Sequence, residues 1–439
     1  MKKRSLYPLL LIFCAYLNGL QAQTQDTLVL DLEQAENLLL KNNLPLLAER
    51  LSIDQAAAEV IQAKVWPNPT LTVDEMNLWA TAYQQRTGEA QPSLFGSDSF
   101  GNYRQVSAQL EQVIETAGKR KKRVALAKVE QEKAQAYLED FLLSLKTEFR
   151  KSIYAFRFHE GYVLMLERQL ISLESIVKAY QKQYDEGNVN KAELIRLQAS
   201  LLGIKDDLIE ERKILNEKNE ELVVMLNLTE STQLSFQPNF QLKETYQLPF
   251  QYTLNYLQQE ALKNRPDVAL SALQITQTQN ELSYEKAQAV PDVAVSLGYD
   301  RGGNILRDFI GVGFSIDLPF FDRNKGNIKK AEFAVEQQNY LNQHKLLEVR
   351  EEVRKNYQNV LQAAAFFDSI DADYLTGLDK TMDAYTEYFK LQNINIITYM
   401  DFLESYIDTK RSILENQQEY FDDLEELKYS TGLELKTPN

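Results

Sequence analysis

The chain states one pattern twice. Trp66-Pro67-Asn68-Pro69-Thr70-Leu71-Thr72-Val73 returns, 224 positions on, as Val290-Pro291-Asp292-Val293-Ala294-Val295-Ser296-Leu297. Leu32 to Asn42 returns as Leu254 to Asn264, ending Leu-Lys-Asn both times. Val106 to Glu130 realigns with Val312 to Glu336, and Gly187-Asn188-Val189-Asn190 with Gln392-Asn393-Ile394-Asn395. A fixed long-range period means one supersecondary unit used twice. Each half reads helix, short strand, short strand, long helix, turn, helix.

The long helices carry heptads. From Leu138 the seam steps by four and three through Leu142, Leu145, Phe149, Ser152, Phe156, His159, Val163, Leu166, Leu170, Leu173, Val177, Tyr180 and Tyr184. Only Ser152 and His159 interrupt it. A sustained 3.5-residue repeat specifies coiled-coil packing. The second arm runs from Leu194 to Met225, with Glu211 and Lys218 as interruptions. The second half repeats the design along Leu346, Val353, Tyr357, Val360, Ala364, Phe367, Tyr374 and Leu378, then Tyr399, Phe402, Tyr406, Ile413, Tyr420 and Leu427. A helix from Lys119 to Tyr184 would be about 100 Å long at 1.5 Å per residue. Helices of that kind also suit a soluble coiled-coil scaffold in the periplasm, so they leave that alternative open.

The strands weigh against it. Leu71 and Val73, then Val106, Ala108 and Leu110, then Val293 to Tyr299, then Val312 to Leu318, each alternate apolar with small or polar residues. Period two marks strands with one apolar face. Their length suits a tilted crossing of a bilayer. Pro67, Pro291 and Pro319 mark junctions between helix and strand. Four strands cannot close a barrel, since small barrels need about eight, so the open edges call for partner chains. Three chains would supply twelve strands. A soluble four-stranded sandwich is the alternative.

Charge and cysteine narrow the classes. Met1-Lys2-Lys3-Arg4, an apolar run from Leu6 to Leu17, and Leu20-Gln21-Ala22 read as a signal peptide over residues 1–22. The one cysteine, Cys14, lies inside it. Phe13 stands where a lipid-anchor site needs a small residue, which weighs against lipidation. Loss of Lys2, Lys3 and Arg4 takes the net charge from −15 to −18, a sign that disfavours nucleic-acid binding. His159 and Glu160 could suggest a metal or acid–base site, but only one other histidine, His344, exists, and a packing histidine is the better reading. No catalytic set, cofactor site or metal site is expected. The basic run Lys119 to Arg123 is read as meeting lipid head groups or capping acidic neighbours. The acidic residues from Asp368 to Glu387, Asp379 among them, read mostly as solvated surface.

Five features now converge: the tandem repeat, the helix ends Ala63-to-Pro67 and Ala287-to-Pro291, the strand before Gly118-Lys119-Arg120, and the turn Gly187-Asn188-Val189 before a helix. With them the chain resembles the TolC-type outer-membrane efflux proteins over essentially its whole mature length. The stretches Trp66–Asn77 and Gln109–Arg123 resemble the cobalt–zinc–cadmium branch. The resemblance implies a mainly α fold with a small β part. Each protomer, two tandem repeats (23–245 and 246–439), would give four strands (about 69–79, 103–114, 291–300 and 308–318) to a trimeric twelve-stranded barrel. Long helices (about 119–184, 190–226, 326–391 and 395–430) would continue it as a periplasmic coiled-coil barrel. It implies a Gram-negative outer-membrane exit duct in a homotrimer, served by a periplasmic adaptor (membrane fusion) protein and a proton-driven inner-membrane RND pump, with divalent cations as cargo. Drugs, or proteins and peptides of type I secretion, are the alternative cargo. It also implies an entrance constriction, which falls on Asp401, with Thr398 at the second acidic position, and adaptor-docking tips at Gly187, Asn188, Val189, Asn393, Ile394 and Asn395.

Overall fold

The computed structural model describes residues 27–77, 86, 105–229, 232–237, 246–301, 309–370 and 372–435. The signal peptide, the connections after Asn77 and after Arg301, and Asp371 lie outside these. In chain order the elements are β1 (Thr27–Leu30), α1 (Leu32–Asn42), α2 (Leu44–Ala63), β2 (Thr70–Asn77), β3 (Gln105–Ile114), α3 (Lys119–Asp185), α4 (Lys191–Met225) and β4 (Gln233–Phe236). There follow α5 (Leu254–Asn264), α6 (Pro266–Gln288), β5 (Val293–Arg301), β6 (Phe309–Ile316), α7 (Lys325–Asp368), α8 (Ala372–Lys390) and α9 (Ile396–Thr431). The protein is mainly helical with a small sheet part. Among the described residues no helix is long and apolar enough to cross a membrane.

The chain forms two compact units, each drawn from both halves: Met1–Ala48, Phe141–Arg265 and Val349–Asn439 in one, Glu49–Asp140 and Pro266–Glu348 in the other. In the first, one apolar core joins α3 (Tyr162, Leu166, Leu173, Ile176), α4 (Leu197, Ile204, Leu208), α8 (Met382, Phe389) and α9 (Tyr399, Leu403, Tyr406). The α4 seam has no exposed member. Its charged interruption has a cause: Glu211 is buried and lies 2.8 Å from Nδ1 of His159, the interruption in the α3 seam. Two polar residues that would each be costly on an apolar seam satisfy one another.

Three expectations are corrected in the second half. The single helix expected over about 326–391 is two, α7 ending at Asp368 and α8 starting at Ala372, with Ser369 and Ile370 outside both. Asp368, Ser369, Asp371 and Asp373 crowd this point, and Ser369 Oγ donates to the Phe366 carbonyl. Short polar side chains favour such local bonds over helix. The heptad therefore does not carry across: Tyr374 is exposed. In α7 the buried seam position is Asn356 rather than Tyr357, its amide donating to the Glu426 carbonyl, and in α9 it is Leu403 rather than Phe402.

Sequence periodicity also missed a short parallel pair, β1 with β4, in register from Thr27 with Gln233 to Leu30 with Phe236. Leu30, Leu234 and Phe236 pack there on Phe149 and Phe156 of α3 and Leu222 of α4. Four-residue strands carry too little alternation to be read. Beside them sits a buried ionic centre. Arg150 donates to Glu36 (2.6 Å), Glu425 (3.0 Å) and Glu434 (2.9 Å). Burial opposes its charge, yet these carboxylates raise its pKa above the ordinary value. Glu425, almost fully buried, also accepts from Lys428 at 2.6 Å. The centre thus ties α1, α3, α9 and the chain beyond α9.

The second unit holds a four-stranded antiparallel sheet in the order β2-β3-β5-β6. With the parallel pair, the described residues contain six strands, not four. Register puts Leu71 opposite Leu110, Leu110 opposite Leu297 and Leu297 opposite Val312. One face is therefore mainly apolar, interrupted by Gln112, and its Leu71, Leu110, Leu297, Val312 and Phe314 are exposed. The other face carries Thr, Ser, Gln, Gly and acids. There Phe309 lies over Gly311, where an added Cβ would stand 2.7 Å from the ring.

At the helix-bearing end four residues of the basic run are engaged inside the chain, while Lys121 is exposed. Lys119, buried, pairs with Asp292 at 2.8 Å, and Arg123 pairs with Glu115 and donates to the Ala63 and Val65 carbonyls. Lys122 donates to the Ser283 carbonyl, and Arg120 stacks 4.1 Å over Trp66. Of the two roles expected for this run, the structure shows the capping one.

Replacing Arg150 by Ala would leave the buried Glu425 with Lys428 as its partner and remove the tie to Glu36 and Glu434. A loss of about 3–5 kcal/mol is expected, read as a lower unfolding midpoint in denaturant. An unchanged midpoint would show that the centre is solvated.

Candidate functional site

Two turns close the two helical hairpins, and both are built alike. After α3, the Gly187 amide donates to the Tyr184 carbonyl (2.9 Å) and the Asn188 amide to the Gln183 carbonyl (2.8 Å). After α8, the Gln392 amide donates to the Phe389 carbonyl (3.0 Å) and the Asn393 amide to the Tyr388 carbonyl (2.9 Å). These are C-terminal caps with a left-handed residue. Gly187 takes it at φ 79°, and Gln392 at φ 62°, where a side chain crowds its own carbonyl. Asn190 and Asn395 then cap the next helices, their side-chain oxygens accepting from the Glu193 and Thr398 amides, both at 2.9 Å.

The turns sit at one end of one core. Tyr180, on α3, stacks on Phe389 at 5.2 Å, and Phe389 stacks on Tyr399 at 4.6 Å. The structure thus brings Gly187, Asn188, Asn393 and Asn395 together as exposed turn residues, with Val189 and Ile394 less exposed. Asn188 is itself held, its amide donating to Gln183 at 2.9 Å.

Asp401 and Thr398 lie on the exposed face of α9, turned from the seam of Tyr399, Leu403 and Tyr406. Thr398 has a local role: its Oγ1 donates to Asn395 at 3.1 Å, inside the cap. The repeat offset of 205 that pairs Asn190 with Asn395 also pairs Arg196 with Asp401. Arg196 is exposed on the matching face of α4. This cation was missed by sequence reasoning, although the offset that finds it was in hand.

Asp379 is half-exposed but not free surface. It accepts from the buried Tyr406 hydroxyl (2.8 Å) and pairs with Lys410 (2.7 Å). Burial would raise its pKa, but Lys410 and Tyr406 hold it below the usual carboxylate value. It is a tie between α8 and α9. Among the described residues there is no group of three or more His, Cys, Asp or Glu that could hold a metal ion.

Residues 36–228 and 257–371 match the model of the family described as outer membrane efflux protein. The cobalt-zinc-cadmium resistance protein CzcC of Cupriavidus metallidurans is 24% identical over 376 residues, covering 85% of this chain and 82% of that protein. The crystal structure of CusC superposes with a TM-score of 0.66 at 15% identity, covering 91% of this chain and 92% of CusC. The CmeC outer membrane channel of Campylobacter jejuni gives 0.70 at 14% identity, covering 91% and 85%. At these identities the solved structures establish a shared fold.

Gly187→Ala is expected to cost about 1 kcal/mol, the penalty of a Cβ in the left-handed region, while Gln392→Gly should cost nothing or stabilise. Thermal unfolding of both variants reads the difference; equal effects would mean that the two turns are not conformationally equivalent.

Proposed function

Because the chain belongs to the outer membrane efflux protein family, and so to the Gram-negative outer membrane, we propose that it is the exit duct of a tripartite efflux system, conducting cargo passively and performing no chemistry. One observation carries the reading: a sheet with an exposed apolar face and two open edges, β2 and β6. Within a bilayer every backbone group needs an internal partner, so such a sheet is admissible only when closed. Four antiparallel strands keep the alternation when β6 of one copy meets β2 of the next. Three copies then give twelve strands, with the apolar face to lipid and the polar face to the pore. Exposed aliphatics seven residues apart on α4, Ile195, Leu202 and Ile209, offer the helices a matching contact between copies. Residues 23–245 and 246–439 are the two repeats in this reading.

The paired turns form the periplasmic tip that meets the adaptor, and an RND pump in the inner membrane supplies the energy. Divalent cations are the favoured cargo. Two points support this: the name of the CzcC relative, and the charge of the pore-side strand face, which carries Asp74, Glu111 and Asp300 and, among its described residues, no Lys or Arg. Asp401 stands at the entrance, in a ring with Arg196 interleaved.

Mass measurement in detergent should give a trimer; a monomer or dimer as the sole species would falsify the duct. Cysteines at Asn188 and Asn393 should crosslink to the adaptor, while one at Gly303, expected in an outer loop, should not. In planar bilayers, Asp401→Ala should weaken block by divalent cations, and Arg196→Ala should strengthen it. Unchanged block in both variants would remove these side chains from the pore entrance.

A further inference from the structure

Where β6 ends, the two repeats part company. In the first, the strand-to-helix junction is closed on itself: Thr116 donates to Asp292 and to the Pro291 carbonyl, and Lys119 is buried against Asp292. In the second, Leu318-Pro319-Phe320-Phe321-Asp322-Arg323-Asn324-Lys325 turns outward. Leu318 is 66% exposed, Phe320 70% and Phe321 103%, the last fully exposed. The turn is nonetheless fixed. Arg323 Nε donates to the Pro319 carbonyl (3.2 Å), and Asp322 accepts from the Asn324 amide (2.8 Å). Asn324, left-handed at φ 56°, donates its side-chain amide to the Glu285 carbonyl (2.9 Å). A constrained turn is holding two phenylalanines away from the protein, at a cost in exposed apolar area that only an apolar neighbour offsets.

Strand length says which neighbour. The eight residues of β6 rise about 27 Å along the strand and about 20 Å along the membrane normal at a tilt of ~40°, short of the apolar band of about 25 Å on an outer-membrane barrel. Leu318 and Phe320 follow the outward set Ile310, Val312, Phe314 and Ile316 at the same spacing of two in the sequence, with Phe321 next to them, and all three are exposed. Exposed Arg323 and Lys325 follow at once. Apolar residues, then aromatics, then cations is the order of a bilayer boundary met from the acyl side.

We propose that the Leu318–Lys325 turn anchors each protomer in the bilayer interface on the helix-bearing side of the sheet, with Leu318, Phe320 and Phe321 among the upper acyl chains and Arg323 and Lys325 on phospholipid phosphates. The proposal rests on the lipid-facing reading of the sheet and adds its boundary. Phe321 is a wedge, present once per chain because the first repeat has no counterpart.

The test is depth-dependent fluorescence quenching in vesicles. The native tryptophans are replaced (Trp66→Phe, Trp79→Phe), and one is introduced as Phe321→Trp or, on mid-strand, Val312→Trp. Phospholipids brominated high on the acyl chain should quench position 321 more than those brominated deep, and aqueous iodide should quench it little. Position 312 should favour the deep bromines. Adding Arg323→Gln and Lys325→Gln should lessen the shallow quenching at 321 in vesicles containing phosphatidylglycerol; no change there overturns the phosphate contact. If 312 is quenched by lipid but 321 answers only to iodide, or to neither reagent because a second copy covers it, the anchor is wrong and the duct stands. If 312 also escapes the lipid quenchers, the lipid-facing sheet itself is wrong.

Discussion

An open sheet edge is a row of unpaired N–H and C=O groups, and one chain of this protein has two such edges on a single apolar-faced sheet. Water can satisfy such groups, and hydrocarbon cannot. In the proposed duct, closure through other copies is then a condition of folding, rather than a later association. The strand count, the antiparallel order and the exposed heptad residues of α4 are all readable as answers to that demand.

The helical unit meets a different demand, that of long helices that must not slip. Apolar heptads alone specify register weakly. Here polar residues are set into the seams and satisfied across them: His159 with Glu211, Asp379 with Tyr406 and Lys410, Asn356 with the Glu426 carbonyl. A shift by one heptad would break these pairings, and for the buried Glu211 and Asn356 would leave a polar group unpaired, at about 1–3 kcal/mol apiece. Arg150 does the same for the chain ends, joining Glu36 near the start to Glu434 near the finish.

Much of the candidate site was legible beforehand. The turns at Gly187 and Gln392 follow from glycine, asparagine and the end of a heptad, whereas the caps at Asn190 and Asn395 came from the structure. The break between α7 and α8 was also written in its crowd of Asp and Ser, but the surrounding periodicity outweighed it. Asp379 was misread because a carboxylate on a helix looks the same whether or not a buried tyrosine from another helix points at it.

By itself the sequence determined the twofold plan, the period of each element and the faces that are apolar, because these depend on residue type and on spacing along one helix or strand. It also determined the family, since repeat and junction motifs are local. Only the tertiary structure decided which polar residues meet. That the two seam interruptions His159 and Glu211 form a pair, that Lys119 is spent on Asp292, and that Phe320 and Phe321 find no cover all depend on side chains distant in sequence. Partner choice across space is set by packing geometry, and a periodic pattern gives the face of a helix without giving what lies against it.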